Sequence, residues 1–224
     1  MINVLIIVFF SIFVSINASA FPLPKSEKAE FDIVRKNKII GSHIIEFKKD
    51  ENLLFVETTI NINVKVLFIP AYKFYHKSIE TWKNNNFIKI EAHTDFEDER
   101  EYFIKGSDQE DSFIASGMDG YIELDKNILP SNFWNIEILE KKEIFDTQKG
   151  ITREILVKSL GNEEIEINNK IINCKKFILN ASSNPKDKGP FPEYSLWYTE
   201  DDELMKFQFK NWKDNKIVTI IRKK

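Results

Sequence analysis

The sequence predicts an all-β protein in which one large antiparallel meander sheet curls into a half-barrel or barrel, with one short helix. Strand-like segments bounded by turn residues recur about every 8 to 14 residues. Residues 53–67 show the pattern best, because Val56 and Ile60 alternate with Glu57 and Asn61. Such alternation is typical of a strand with one buried and one wet face. About a dozen strands form a sheet too large to stay flat, so we expect it to curve.

The predicted strands follow one another closely along the chain. Turn-forming residues separate them, for example Asn37-Lys38, Asn84-Asn85-Asn86 and Asn169-Lys170. The strands are predicted at residues 29–36, 39–48, 53–67, 72–83, 87–95, 99–105, 112–116, 121–124, 151–160, 163–168, 171–180, 194–199, 204–212 and 216–221. Short connections of this kind join antiparallel neighbours, which favours a meander.

One short helix is predicted within this series, at residues 132–140. It follows Pro130 and Ser131, and Phe133, Ile136 and Leu139 recur on one side of it. Residues 182–192 contain three prolines and one glycine, and they are interpreted as a loop because strands continue beyond them in the same style. Residues 21–224 are therefore interpreted as a single antiparallel β domain.

The first twenty residues carry the pattern of a secretory signal peptide. Residues 1–20 contain no charged side chain, and the apolar run from Val4 to Val14 leads to Ala18-Ser19-Ala20. An apolar run that ends in a small-x-small tripeptide predicts export with cleavage after Ala20. The alternative is an uncleaved membrane anchor, but the run is shorter than the roughly 20 apolar residues that span a bilayer. We expect a periplasmic protein with no further membrane-spanning segment.

The composition excludes several classes of function. The 224 residues have 42% hydrophobic and 30% charged side chains and a net charge of -3, which gives no electrostatic reason to expect nucleic-acid binding. Cys174 is the only cysteine, so no internal disulfide can form, and we expect a buried, inert thiol. The three histidines show no metal-ligand spacing, and no phosphate loop or nucleophile elbow is present. No metal, cofactor or enzymatic activity is expected.

The hairpin predicted from residues 72–83 and 87–95 carries the most informative pattern. If Asn84-Asn85-Asn86 form a three-residue loop, the even-numbered residues of both strands share one face. That face is mostly apolar and aromatic, but it includes two titratable groups; it carries Phe74, His76, Glu80, Trp82, Ile88 and Ile90. His76 and Glu80 lie four residues apart on one strand, about 13 Å, which is too far for a catalytic dyad.

Glu80 is the unusual residue on this face. A carboxylate on an apolar surface needs a partner, a wet cavity or a proton. Two interpretations stay open: Glu80 is a polar anchor inside an apolar ligand pocket, or it forms a structural ion pair with Arg35, Arg100 or Arg153.

Several short motifs resemble an uncharacterised family of exported proteobacterial proteins. They are Phe31-Asp32-Ile33 with Lys38-Ile39-Ile40-Gly41-Ser42-His43, Lys65-Val66-Leu67-Phe68, His76-x-Ser78-x-Glu80-x-Trp82, Leu129-Pro130-Ser131 with Trp134-Asn135, Thr147-Gln148 with Gly150, and Leu196-Trp197-Tyr198 with Leu204 and Lys206. The resemblance implies a sheet similar to that of the lipoprotein-localisation (Lol-type) carriers, whose curved half-barrel holds acyl chains against a short helical lid. It implies no assigned activity.

These observations favour a non-enzymatic periplasmic protein that binds a lipid, an acyl chain or another hydrophobic ligand on the concave sheet face. The candidate ligand-binding residues are Phe74, Trp82 and Ile90 as apolar contacts, with His76, Glu80 and Trp134 as orienting groups. The alternative is a structural or interaction module of a cell-envelope complex. An envelope enzyme built around Glu80 and His76 would require both groups to meet in one cleft.

Overall fold

Almost every element of the structure is a β-strand. The computed structural model describes residues 26–66, 69–96, 100–187 and 189–223, so the predicted signal peptide lies outside the described residues. The strands are β1 (Lys28–Arg35), β2 (Lys38–Asp50), β3 (Leu53–Val66), β4 (Ile69–Lys83), β5 (Asn86–Asp95), β6 (Glu101–Asp108), β7 (Ser112–Gly117), β8 (Gly120–Asp125), β9 (Leu129–Pro130), β10 (Glu143–Asp146), β11 (Ile151–Ile167), β12 (Lys170–Ala181), β13 (Tyr194–Tyr198), β14 (Leu204–Lys210) and β15 (Ile217–Arg222).

All of these strands belong to one sheet, and the predicted all-β antiparallel meander is confirmed. The first and last strands, β1 and β15, pair in the middle of the sheet. From this pair the chain meanders outward in both directions, through β2 to β8 on one side and through β14 to β9 on the other. The pairing is antiparallel throughout, except that the two-residue strand β9 lies parallel to β10.

The sheet curves until its two ends meet, but its ladder of strands does not close. At the meeting point the Met118 amide donates a 2.7 Å hydrogen bond to the Lys149 carbonyl. Gly117 lies against Gly150 there, and a Cβ on Gly117 would come within 2.4 Å of the Gly150 Cα. We call this contact the seam. The sequence left half-barrel and barrel open, and the structure shows an open sheet with a barrel-like curvature.

The β4–β5 hairpin corrects one detail of the predicted register. Its turn has two residues, Asn84 and Asn85, both with positive φ (49° and 67°), as in the tight hairpin turns that asparagine tolerates. A bulge next to Trp82 restores the predicted pairing from Thr81 onward. As a consequence Phe87, and not Ile88, points into the core.

Other predicted elements differ from the structure between β8 and β12. The helix predicted over residues 132–140 is a short 3₁₀-helix, Ile136–Glu140, which the side chain of Asn135 caps. Strands β9 and β10 were not predicted, because they are too short to show alternation. The two strands predicted in residues 151–168 are one strand, β11, with a bulge at Leu160. None of the described helices is long and apolar enough to cross a membrane.

The main core fills the inside of the curved sheet. Residues 132–138, which we call the plug, enter this interior between β9 and β10 and bury Phe133, Trp134 and Ile138. A smaller core lies on the outer face, where Cys174 packs with Trp197. Cys174 is buried and its pKa is raised by that burial, so the buried-thiol interpretation is confirmed.

Candidate functional site

The plug end of the interior is centred on Glu80, which is fully buried. The Trp82 indole N–H donates a 2.8 Å hydrogen bond to its Oε2, and the Trp134 indole N–H donates to the same oxygen at 3.3 Å. The Asn132 side-chain amide donates to Oε1. Glu80 therefore has three neutral donors, and among the described residues it forms no ion pair with Arg35, Arg100 or Arg153, which was one of the two interpretations that the sequence left open.

Burial raises the pKa of Glu80 to about 7, while the hydrogen bonds from Asn132, Trp82 and Trp134 oppose the shift. Water is kept away by aromatic rings, since Trp134 packs edge-to-face on Trp82 at 5.4 Å and on Phe47 at 5.4 Å. A carboxyl group held in this way stabilises the packing of the plug against β4. It has no open face toward a ligand, because its relative exposure is 0%.

A band of buried polar side chains lies on the inner face next to this network. His76 Nδ1 forms a 2.8 Å hydrogen bond with the Thr94 hydroxyl. Three further polar atoms, His76 Nε2, Thr58 Oγ1 and Ser78 Oγ, have no hydrogen-bond partner among the described protein atoms. Burial lowers the pKa of His76 to about 3, so the imidazole is neutral at pH 7.

The other end of the interior contains a cavity of about 420 Å³. Its walls come from the inner faces of β1 to β4, β14 and β15 and from the loop of residues 189–192. Apolar side chains make up most of the inner lining, and they include Ile33, Ile60, Ile62, Phe74, Phe207 and Ile220. The volume lies in the range of about 300 to 1,000 Å³ that is usual for small-molecule sites.

Of the predicted ligand-binding residues, Phe74 lines this cavity. His76, Glu80, Trp82, Ile90 and Trp134 are not part of the described lining. His76, Glu80, Trp82 and Ile90 are buried on the inner face of the sheet, as the alternation indicated, and Trp134 is buried in the plug. Their role in ligand binding stays a prediction that the position of the cavity does not support.

His43 is a lining residue that the sequence reasoning missed. It is 7% exposed and its ring lies between Phe31 and Phe207, with centroids 5.6 and 5.7 Å away. Burial lowers its pKa to about 4, and its Nε2 has no hydrogen-bond partner among the described residues. The sequence did indicate that His43 points inward, because it has the same parity as the apolar residues Ile45 and Phe47 on β2.

We define the mouth of the cavity as Arg35, Arg100, Lys149 and residues 210–214. Most of these side chains are charged. Arg35 pairs with Asp214, which lies in the turn between β14 and β15. Residues 211–214 are partly or fully exposed, so the cavity opens to solvent at this end. A cavity with an apolar interior and a polar opening can bury an apolar chain and leave a polar group at the surface.

A buried charge cluster, formed by Asp146, Lys149, Arg153 and Asp187, fastens the loop that makes one wall. The Arg153 guanidinium contacts Asp146 at 2.9 Å and Asp187 at 2.6 Å, and Lys149 pairs with Asp187. Arg153 also lies over the ring of Phe191, 5.2 Å from its centroid. Each carboxylate in the cluster has a cationic partner, which is what burial of charge requires.

The described residues contain no group of three or more His, Cys, Asp or Glu side chains that could hold a metal ion. The fold and the cavity together define a curved β-sheet protein with one end of its interior filled and the other end hollow.

This chain belongs to the family of the domain of unknown function DUF6134, whose model matches residues 31–222. No curated protein matches it. Its fold is similar to that in the crystal structure of a β-barrel-like protein of the domain of unknown function DUF1849 from Brucella abortus. The TM-score is 0.61 at 10% identity, over 88% of this chain and 95% of that one. The expected membership of an uncharacterised family is confirmed, whereas the proteobacterial origin and the likeness to Lol-type carriers stay predictions.

Proposed function

We propose that the protein is an exported, non-enzymatic binding protein that takes up a hydrophobic ligand, such as an acyl chain or lipid, in the cavity. The observation that carries this proposal is the cavity of about 420 Å³ with an apolar interior and a solvent-exposed mouth. Cores of folded proteins are normally packed with few voids larger than a water molecule. An apolar space of this size on an otherwise filled inner face is therefore best explained by an occupant.

The proposed binding residues differ from those at the plug. The ligand would contact Phe74, Ile60 and Phe207 in the interior, and its inner end would reach His43. Transfer of an apolar chain out of water onto such a lining is favourable by about 25 cal/mol for each Å² of apolar surface that is buried.

The arrangement of the titratable groups supports a role without catalysis. Glu80 is enclosed by Trp82, Asn132 and Trp134, and His76 is bound to Thr94, so the two groups considered for an enzyme have separate partners. Neither group lines the cavity. A catalytic acid or base has to come within hydrogen-bond reach of its substrate.

A neutral apolar fluorophore, N-phenyl-1-naphthylamine, tests the proposal. We expect stoichiometric binding to the purified chain. Replacement of Ile62→Trp should reduce the affinity at least tenfold, because the indole would occupy the cavity. The matched control is Ile79→Trp on the exposed face of β4, which should leave binding unchanged. Absence of binding by the unmodified protein, or equal loss in both variants, would contradict the proposal.

Export is tested separately. Expression of the full chain in a bacterium with a periplasm should yield a protein whose mature amino terminus is Phe21, since residues 1–20 carry the signal pattern. Mass spectrometry of the periplasmic fraction checks this, and a protein that retains Met1 in the cytoplasm would contradict it.

The alternative of an interaction module is favoured by a different observation. The outer face of β6, β7 and β8 carries three exposed apolar side chains, Phe103 (65%), Ile114 (39%) and Tyr121 (87%). Exposed apolar groups on neighbouring strands can form a contact surface for another protein. Sedimentation of the chain and of a Phe103→Ser/Tyr121→Ser variant tests it: concentration-dependent association that the variant loses would support this candidate.

A further inference from the structure

We propose that the ligand carries a negative charge: the mouth of the cavity is a site for the carboxylate or phosphate head group of a single-chain amphiphile. This inference rests on the proposed function, since it identifies the chemical class of the ligand in the same cavity. It goes further in assigning the head group to the donors around Gly189.

Three donor groups lie close to Gly189 on the wall of the mouth. Lys149 Nζ donates a 2.9 Å hydrogen bond to the Gly189 carbonyl. A Cβ placed on Gly189 would lie 3.4 Å from Arg100 Nη1 and 3.5 Å from Trp212 Nε1. The guanidinium and the indole N–H are therefore close enough for one carboxylate or phosphate group to contact both. All four residues line the cavity.

The side chains at this place have defined positions. The Arg100 guanidinium lies over the Phe96 ring, 4.5 Å from its centroid, and Lys149 Nζ lies 5.8 Å from the same centroid. Lys149 is 6% exposed and is held by Asp187. Donors that packing already holds in place bind an anion without a large loss of side-chain entropy.

The charge of the mouth favours an anion over a cation. The two acidic side chains among the described lining residues, Asp146 and Asp214, are engaged by Arg153 and Arg35. Lys210 and Lys213 also line the mouth, and neither forms an ion pair within the described parts of the chain. This local positive charge stands against a net charge of -3 for the whole sequence. Such a field attracts anionic ligands and repels cationic ones.

The chemistry of the donors fits an oxyanion. A guanidinium presents parallel N–H groups that match the oxygens of a carboxylate or phosphate, and charge-assisted bonds of this type are the strong ones. The apolar interior begins directly below, at Phe74 and Phe96. A volume of about 420 Å³ lies in the lower part of the range for ligand sites, which favours one chain rather than two.

The test uses four ligands with the same twelve-carbon chain, each below its micelle-forming concentration: dodecanoate, dodecyl phosphate, dodecanol and dodecyltrimethylammonium. Displacement of N-phenyl-1-naphthylamine from the whole protein measures their affinities. We expect the two anions to bind at least tenfold more tightly than the alcohol and the cation to bind most weakly. The advantage of the anions should shrink at high salt.

Variants then locate the head group. Arg100→Gln with Trp212→Phe should bring the affinities of the two anions to within about threefold of the affinity of dodecanol for the same variant. Lys105→Gln, an exposed residue of β6 that does not line the cavity, is the matched control and should change neither. If only one of the two anions binds the unmodified protein more tightly than dodecanol does, and the double variant loses that advantage, the site is supported and its ligand is limited to that class of head group.

Failures of the two proposals have different signatures. If dodecanol and the anions bind equally, or if the double variant keeps the anion preference, the head-group site is refuted while hydrophobic binding stands. If neither the fluorophore nor any of the four ligands binds, the proposed function itself is refuted.

Discussion

The two ends of the interior are built from the same strands, yet one is solid and the other is hollow. At the plug end, Trp82 of β4 packs on Trp134 and hydrogen-bonds Glu80. At the cavity end, Phe74 of the same strand faces about 420 Å³ of space. Strand β4 alternates in the same way at both ends, so alternation does not make this difference. The plug causes the difference, because residues 132–138 fill one end of the interior and do not reach the other.

The comparison teaches that binding capacity here depends on where the plug stops. Tyr198 donates a 2.8 Å hydrogen bond to the carbonyl of Phe133, and Phe133 packs edge-to-face on Tyr194 and Phe207. These contacts place the limit of the plug at the floor of the cavity, since Tyr194 and Phe207 also line it. Stability and binding should therefore respond differently to substitutions at the two ends.

The largest expected effect is a loss of stability caused by a substitution at the plug end. Trp134→Ala removes a buried indole that contacts Trp82 and Phe47 and should lower the free energy of unfolding by about 3–5 kcal/mol. Phe74→Ala at the hollow end should cost less than half as much, because one side of that ring already faces the cavity. Urea unfolding of both variants measures the difference, and equal losses would show that the two ends are packed alike.

A comparable effect is expected from the charge cluster at the cavity wall. Arg153→Met leaves Asp146 and Asp187 buried without their main partner and should cost about 3–5 kcal/mol. It should also weaken fluorophore binding, since Asp187 and Phe191 would lose the contact that holds the wall. Replacement of the exposed Lys158 by Met is the control. Retention of both stability and binding in Arg153→Met would contradict the role assigned to the cluster.

The pH dependence of stability distinguishes Glu80 from the buried histidines. The pKa of Glu80 is raised from 4.5 to about 7, so its contribution is fully present below pH 4.5 and is lost as pH rises through 7. At 1.36 kcal/mol per pKa unit, the change is on the order of 3 kcal/mol. His43 and His76 act in the opposite sense, since their pKa values are lowered to about 4 and about 3. Their contribution is present above pH 6.5 and is lost as pH falls toward those values.

A Glu80→Gln variant isolates the carboxyl group. The difference in unfolding free energy between the natural chain and this variant should move in the variant's favour by about 3 kcal/mol between pH 4.5 and pH 8. The contribution of the histidines cancels in that difference. Denaturant titrations at several pH values measure it, and a difference that stays constant with pH would refute a raised pKa at Glu80.

The smallest expected effect concerns the seam, where the two ends of the sheet meet. Gly117→Ala places a methyl group 2.4 Å from the Gly150 Cα, and backbone at this point has to move. We expect a loss of about 1–3 kcal/mol, as for other overpacked sites. Hydrogen exchange at Met118, whose amide bonds to the Lys149 carbonyl, should increase. Unchanged protection at Met118 would show that the seam does not hold the two ends of the sheet together.

Much of the fold was predictable because strand alternation is a local signal. The inward positions of Phe74, His76, Glu80 and Trp82 followed from parity along β4. The register beyond the turn also followed, although the turn has two residues and a bulge instead of three residues. A bulge and a longer loop shift the pairing by the same amount, so the sequence pattern could not separate them.

The cavity lies away from five of the six residues that the sequence analysis named as ligand contacts. Glu80 looked like a pocket residue because a carboxylate among apolar neighbours is unusual, but its donors Asn132 and Trp134 come from more than fifty residues away in the chain. The lining of the cavity includes His43 of β2, Arg100 just before β6 and Trp212 between β14 and β15. No local pattern relates them, and only the curvature of the sheet brings them to one opening.

The sequence by itself determined the class of fold, the short turns, the buried thiol at Cys174 and the face on which most strand residues lie. These properties depend on a period of two and on local backbone preferences, which adjacent residues encode. The tertiary structure decided the pairing of β1 with β15, the insertion of the plug and the position of the cavity. Each of these depends on contacts between residues that are far apart in the chain. The sequence of one strand does not encode which residues it will face across the interior.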